Sequence, residues 1–172
     1  MDSITLGPWA IHYDAEATRD AYAAIAASGE VTCSCAHCRN FWLAQEQECA
    51  FPAEFLALLH RLEVSFRHPA EVYVQGSHDT AGWQYAGWFH FVGTVTVGDL
   101  DIVFGPIAEA PGLRYDGVFL VWPGAGTGRG CWFAPDRALL PQSFTGQSTV
   151  QLEFVVDVPW LLEVPASPFA EG

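Results

Sequence analysis

The chain has 172 residues, which suits a single domain with enough core to fold alone. Hydrophobic residues make up 51% of it, which excludes intrinsic disorder for the body of the chain. Its net charge of −13 comes from 20 acidic and 7 basic residues and would repel polyanions at long range. We therefore expect neither nucleic acid nor an anionic membrane surface as a partner.

The first residues, Met1 to Thr5, lack the basic and apolar regions of a signal peptide. No uncharged apolar stretch reaches the roughly 18 residues that a membrane span needs. We expect a cytoplasmic protein, in which thiols stay reduced. The chain has five cysteines, and an odd number would leave one unpaired in a framework made only of disulfides. Both points disfavour structural disulfides, while the oligomeric state stays open.

The first half of the chain has the periodicity of helices. Asp14 to Ser28 predicts a first helix, capped by Asp14. A second helix is predicted from about Ala36 to Glu48, and Pro52 opens a third because proline favours the first helical position. Pro69 prevents the third helix from continuing. The apolar face of that helix consists of Phe55, Leu58, Leu59 and Leu62.

From Glu71 onward the hydrophobic period changes from 3.6 to two, which is typical of strands. Trp83 to Val97 alternates, with Phe89 on one face and His90 on the other, and predicts one long half-buried strand or two strands joined at Gly93. No helical pattern separates the predicted strands, so we expect antiparallel pairing. The predicted strands are Glu71 to Gln75, Trp83 to Val97, Asp99 to Phe104, Gly117 to Trp122 and Ser148 to Val158.

These patterns predict one α+β domain over residues 1–172. N-terminal helices, within about 14–65, pack on an antiparallel sheet or sandwich built from about 71–158. Residues 166–172 read as a frayed tail.

The run Cys33-Ser34-Cys35-Ala36-His37-Cys38 places three thiols just before the predicted second helix. In an extended segment Cys33 and Cys35 point the same way, about 6.6 Å apart. Cys35 and Cys38 form a C-x-x-C loop, whose thiolates can hold one ion or close one disulfide. Reduced structural thiols are the third interpretation, because free cysteine is among the most buried residue types.

Zinc is the first candidate ion, because clustered thiolates are soft ligands and zinc is redox-inert in a reducing cell. Zinc takes four ligands, so the three cysteines leave one position open. A continuous second helix would place Cys49 about 16 Å from Cys38, which argues against Cys49. The candidates for the fourth position are water, His37, His78, His90 and Cys131.

Cys35-Ala36-His37-Cys38 also resembles the C-P-H-C active site of the thioredoxin-like disulfide oxidases. A helix N-terminus depresses the pKa of the first cysteine of such a motif, here Cys35. The resemblance implies an alternative function, a thiol–disulfide oxidoreductase that uses Cys35 and Cys38. The βαβ unit that a thioredoxin fold needs around the motif is not predicted in this chain.

Cys33 to Phe41 reads C-x-C-x-x-C-R-N-F, and Gly87 to Phe91 reads G-W-F-H-F. Together these segments resemble a group of uncharacterised bacterial proteins, some of them phage-associated. The resemblance covers about residues 20 to 95 and implies no activity. It implies only that the two segments belong together.

Three other patterns in the sequence are weaker indications of a functional site. Pro123 to Gly130 is rich in glycine but lacks the lysine of a phosphate loop, so a loop between strands is predicted. Glu153 and Asp157 are predicted on the solvent side of the last strand. No catalytic constellation emerges, and we expect a non-enzymatic protein. A sugar- or small-ligand-binding sheet is a second alternative, through Trp83, Trp88, Trp122 and Trp132.

Overall fold

The computed structural model describes residues 1–28, 33–78, 82–97, 105–116, 118–126, 128–134 and 138–164. It has an α+β fold in which helices pack on an antiparallel sheet, as predicted. The helices are α1 (Ala15–Ser28), α2 (Ala36–Glu46), α3 (Ala53–Arg61) and a 3-10 helix (Gln142–Phe144). The strands are β1 (Asp2–Leu6), β2 (Trp9–Tyr13), β3 (Glu71–His78), β4 (Gly82–Val97), β5 (Gly105–Pro106), β6 (Arg114–Tyr115), β7 (Leu120–Val121), β8 (Gly130–Ala134) and β9 (Thr149–Val158).

The long strand β4 organises the sheet. The strand order is β1-β2-β4-β9-β8-β7-β6-β5, and β3 also pairs with β4. β9 runs antiparallel to β4, from Trp83 opposite Val158 to Val92 opposite Thr149. β3 pairs with the first half of β4, whereas β2 pairs with its last five residues, Gly93–Val97. β4 therefore links the N-terminal hairpin to the rest of the sheet.

The structure contains one hairpin that the sequence did not predict, and two predicted segments lie outside the described residues. The hairpin of β1 and β2, which turns at Gly7 with φ +58°, was not predicted. The predicted strand Asp99 to Phe104 lies outside the described residues, as does the tail 166–172. The prediction of a single domain over residues 1–172 stays a prediction.

The residues at which the helices begin and end can be explained from the residues next to them. The Asp14 carboxylate accepts a hydrogen bond from the Ala17 amide at 3.0 Å, so the predicted cap of α1 is confirmed. α2 ends at Glu46, two residues before the predicted end, and Glu48 then takes φ +57°. α3 begins directly after Pro52, as predicted. None of the helices in the described ranges is long and apolar enough to cross a membrane.

Helices cover both faces of the central sheet. α2 and α3 cover one face with a continuous aromatic core whose ring centroids are 5.1 to 6.3 Å apart. Its members are Phe41, Phe51, Phe55, Phe89 and Phe154. α1 lies on the opposite face, where the Tyr22 hydroxyl donates to the His90 carbonyl at 2.8 Å.

Candidate metal centre

The three clustered cysteines converge at the N-terminus of α2. The Sγ atoms of Cys33, Cys35 and Cys38 all lie within 4.8 Å of one another. Sulfurs bound to one tetrahedral zinc at about 2.3 Å are about 3.8 Å apart, so an adjustment of at most about 1 Å would suit the ion. Cys33 is exposed, and the other two are half-buried. The cluster is therefore accessible to an ion from solvent.

The start of α2 explains this convergence. Cys35 is the N-cap residue, with extended backbone angles of φ −62° and ψ 160°. Its Sγ accepts a hydrogen bond from the Cys38 amide at 3.4 Å, in the position that a serine or aspartate oxygen usually fills. The helix then brings Cys38 back over Cys35 after one turn. A cysteine at the cap thus lies within reach of the thiol three residues later.

The environment shifts the pKa values of the two thiols of the C-x-x-C loop in opposite directions. Burial raises the pKa of the Cys35 thiol, but hydrogen bonds from the Cys38 amide and thiol, the Cys33 thiol and the His37 amide outweigh it. The pKa of Cys35 therefore lies below the ordinary value. Burial raises the pKa of Cys38 well above the ordinary value, and the neighbouring thiols of Cys35 and Cys33 raise it further. Cys35 is thus the first of the pair to ionise.

Buried polar groups hold the first turn of α2 in place. The Tyr85 hydroxyl donates to the His37 carbonyl at 3.0 Å. Asn40 is fully buried; its Nδ2 donates to the Pro159 carbonyl at 2.9 Å and its Oδ1 accepts from the Leu161 amide at 2.7 Å. Burial raises the pKa of Tyr85 to about 12, so its hydroxyl stays a donor at neutral pH. These bonds tie the cluster to β4 and to the segment after β9.

The His37 ring lies against tryptophans. Its centroid is 4.4 Å from that of Trp83 and 5.4 Å from that of Trp160. The two indoles thus pack around the His37 ring, within the segment that carries the thiols. His37 does not belong to the group of three ligand atoms within 4.8 Å.

The other predicted ligands lie elsewhere or outside the description. His90 is buried on the α1 face, with its ring 6.1 Å from Phe144. Seven residues of β4, about 24 Å, separate it from Trp83, whose ring contacts His37 between the cluster thiols Cys35 and Cys38 in sequence. Cys131 is fully buried between β7 and β9. The side chain of His78 lies outside the described part, and β3 ends at that residue.

Cys49 follows the C-terminus of α2 and is exposed. Because α2 ends at Glu46, the continuous helix on which its predicted distance from Cys38 depended does not reach it. Cys49 borders a separate cleft of about 290 Å³, together with Trp122 and the loop between β7 and β8. Arg129 of that loop makes a two-pronged ion pair with Asp157, with nitrogen–oxygen distances of 2.9 to 3.0 Å. Asp157 lies on the predicted face and its side chain is 30% exposed, but its ion pair with Arg129 was not predicted.

The four tryptophans proposed as a binding surface divide into two groups. Trp83 and Trp122 are each 8% exposed and belong to the core. Trp88 and Trp132 are half-buried on the other face of the sheet. Only the second pair fits the predicted ligand-binding surface.

Sequence reasoning missed the residues that frame the cluster. Asn40, Tyr85 and Trp160 lie 48 to 123 positions from their partners in the hydrogen bonds and ring contacts above. For Asn40 a signal did exist, since it belongs to the C-R-N-F segment that follows the thiols. An amide beside two apolar rings, on the inner side of a helix, indicates a buried hydrogen-bonding role.

Comparison with models of protein families, with curated proteins and with solved structures finds no match for this chain. The geometry of the site is therefore the basis for inferring its function.

Proposed function

We propose that this protein binds a zinc ion through Cys33, Cys35 and Cys38. The observation that carries the proposal is the mutual approach of three sulfurs within 4.8 Å. A redox pair needs only two thiols, whereas a metal site accounts for the position of the third. Thiolate sulfur is a soft ligand of the kind that zinc takes in proteins.

The N-terminus of α2 favours the thiolate form of the three cysteines, which is the form that binds a metal ion. The N-terminus of α2 carries a partial positive charge that stabilises thiolates. The first turn of α2 contains no acidic residue that would oppose this charge. Three thiolates would leave one position of a tetrahedral ion for water or an external ligand, as in zinc sites that exchange a ligand.

Metal analysis tests the proposal. Protein purified without added metal should contain about one zinc per chain by elemental analysis. Replacement of zinc by Co²⁺ should produce thiolate-to-cobalt charge-transfer absorption and the strong visible bands of a tetrahedral ion. The single variants Cys33→Ser, Cys35→Ser and Cys38→Ser should each lower the zinc affinity by roughly tenfold or more.

Cys49→Ser is the matched control, because it removes an exposed thiol beyond the far end of the same helix. It should leave both the metal content and the cobalt spectrum unchanged. Substoichiometric zinc, together with three cluster thiols that titrate freely in the native protein, would rule out the metal site.

A second function, thiol–disulfide exchange, is favoured by the opposite pKa shifts of Cys35 and Cys38. The Cys35 thiolate would attack a substrate disulfide, form a mixed disulfide and release one substrate thiolate. Cys38 would lose its proton and attack the Cys35 sulfur. The Cys35–Cys38 disulfide then forms, the second substrate thiolate leaves, and the substrate has gained two electrons. A dithiol reductant would restore the pair.

Insulin reduction with dithiothreitol, in the presence of a chelator, separates the two functions. Turnover above the uncatalysed rate that Cys35→Ser abolishes and Cys49→Ser retains would support exchange. A metal-binding protein without redox activity should show no turnover with or without the chelator.

A further inference from the structure

Aromatic and acidic side chains alternate across one face of the sheet, away from the thiol cluster. The strand register places Glu71 of β3 opposite Trp88 of β4, Trp88 opposite Glu153 of β9, and Glu153 opposite Trp132 of β8. Because paired residues point to the same face, these side chains form one row. Two further rings flank it. We call Tyr73, Trp88, Glu153, Trp132 and Phe119 the aromatic strip.

The aromatic strip is open to solvent. α1 packs on the same face, but at the end of the sheet that carries His90 and Val92. Trp88, Glu153, Trp132 and Phe119 are half-buried, and Tyr73 is 46% exposed. Large aromatic side chains grouped on an exposed surface commonly mark a binding site.

Hydrogen bonds hold the centre of the strip. The Trp88 indole donates to the Ala138 carbonyl at 3.0 Å, and the Ala138 amide donates to Gln151 Oε1 at 3.0 Å. Gln151 Nε2 in turn donates to Glu153 Oε1 at 3.1 Å. One buried glutamine thus fixes both the carboxylate and the segment that orients the indole. A site held in this way loses little conformational entropy when a ligand binds.

The spacing suits a cation between the two indoles. Trp88 and Trp132 are two strand spacings apart, about 9.6 Å, with the Glu153 carboxylate between them. A cation paired with the Glu153 carboxylate would therefore lie between the two indoles, where cation–π attraction can act on it from both sides. The net charge of −13 attracts cations to the protein as a whole.

The ring orientations favour a cation over a sugar. Tyr73 is inclined by 64° to Trp88, and Phe119 by 57° to Trp132. Inclined rings make walls around a charge, whereas stacking of a sugar chain needs rings that lie in one plane. We propose that the aromatic strip binds a small organic cation that carries a quaternary ammonium group. This site is independent of the proposed metal function.

Titration with choline tests the proposal, followed by tryptophan fluorescence and the indole N–H signals in NMR spectra. 3,3-Dimethyl-1-butanol is the matched ligand, because it has the shape of choline but a neutral carbon in place of the nitrogen. Choline should bind at least five- to tenfold more tightly than this alcohol. Added salt should weaken the binding of choline only.

Two variants locate the site. Glu153→Gln keeps the shape of the side chain and removes its charge, and it should weaken choline binding about fivefold or more. Trp132→Leu should have an effect of similar size. The controls are Glu46→Gln, which neutralises an exposed carboxylate on α2, and Trp42→Leu on the opposite side of the sheet; both should bind choline as the wild type does.

Equal affinity for choline and the neutral alcohol would overturn the proposal, since the strip would then be only an apolar patch. Binding of cellohexaose without binding of choline would overturn it in favour of a carbohydrate site. Unchanged indole signals at millimolar choline would overturn it as well. Should circular dichroism show that Trp132→Leu does not fold, Glu153→Gln decides alone, because a half-buried surface carboxamide does not threaten the core.

Discussion

Cys35 and Cys131 carry the same thiol group in two contrasting regions of the molecule. Cys35 caps a helix beside two other thiols, and its pKa lies below the ordinary value. Cys131 is fully buried in β8, opposite Phe154 and Leu120, and burial raises its pKa far above that value. Backbone amides and neighbouring thiols stabilise a thiolate at the first position, whereas apolar neighbours exclude it from the second. The comparison shows that position in the fold decides which cysteine can act as a ligand or nucleophile.

The largest expected effect is a difference in alkylation rate. In the metal-free native protein, iodoacetamide should label Cys35 at least about 10³ times faster than Cys131. Cys131 can react only after the core strands open, which costs a large part of the free energy of unfolding. Peptide mass spectrometry after timed quenching measures both rates. In concentrated urea the two rates should converge, and similar rates in native buffer would contradict the contrast.

A second prediction concerns stability. Cys131→Ser should lower the free energy of unfolding by about 2 kcal/mol, because a hydroxyl would be buried among apolar side chains. Cys33→Ser should change it by at most about 0.5 kcal/mol in the metal-free protein, since Cys33 is exposed. Urea denaturation with a chelator present measures both values. Equal destabilisation by the two variants would show that Cys131 has a polar partner in solution.

Alkaline pH should reveal the buried thiol. The pKa of Cys131 is higher in the folded state than in the unfolded state, where it is 9.0. As the pH rises past 9, the unfolded chain therefore loses this proton first. The stabilisation is complete below pH 9 and declines above it, by on the order of 1 kcal/mol at pH 10.

The variant Cys131→Val lacks this titration and keeps all the others. Between pH 7 and pH 10 it should therefore lose less stability than the wild type, by on the order of 1 kcal/mol, as measured by urea denaturation at each pH. Parallel losses in the two proteins would mean that Cys131 does not stay protonated in the fold.

The smallest expected effect concerns the frame of the thiol cluster. Tyr85→Phe removes the hydroxyl that donates to the His37 carbonyl, and it should lower the free energy of unfolding by about 1 kcal/mol. The variant should also bind zinc more weakly, because the first turn of α2 loses a restraint. Tyr73→Phe, at an exposed position on β3, is the control and should change neither quantity. Identical zinc affinity in both variants would show that the thiols need no support from β4.

Much of the fold could be predicted from local patterns. Asp14 gave the start of α1, Pro52 gave the start of α3, and alternation along Trp83 to Val97 gave β4. The hairpin of β1 and β2 escaped prediction because five-residue strands carry too few repeats of the period. Its strands depend on pairing with each other and with the end of β4, which the local pattern does not reveal.

The thiol site could be predicted for the same reason, since its three sulfurs lie within six residues. What surrounds them could not. The alternation of β4 separated Phe89 from His90, but it did not show that α1 buries the face of His90. The exposure of Trp88 and Trp132 likewise depends on where α1 ends on that face, which is a matter of tertiary packing.

The contacts of Asn40 have a consequence for the protein during its synthesis. This residue on α2 is bonded to the backbone at Pro159 and Leu161, and 121 positions separate Asn40 from Leu161. Ribosomes add about 5 to 20 residues per second, so roughly 6 to 24 s pass between the two ends of this connection. Throughout that interval the nascent chain already carries Cys33, Cys35 and Cys38 without their frame. These thiols are therefore exposed to metal ions and oxidants before the folded frame around them has formed.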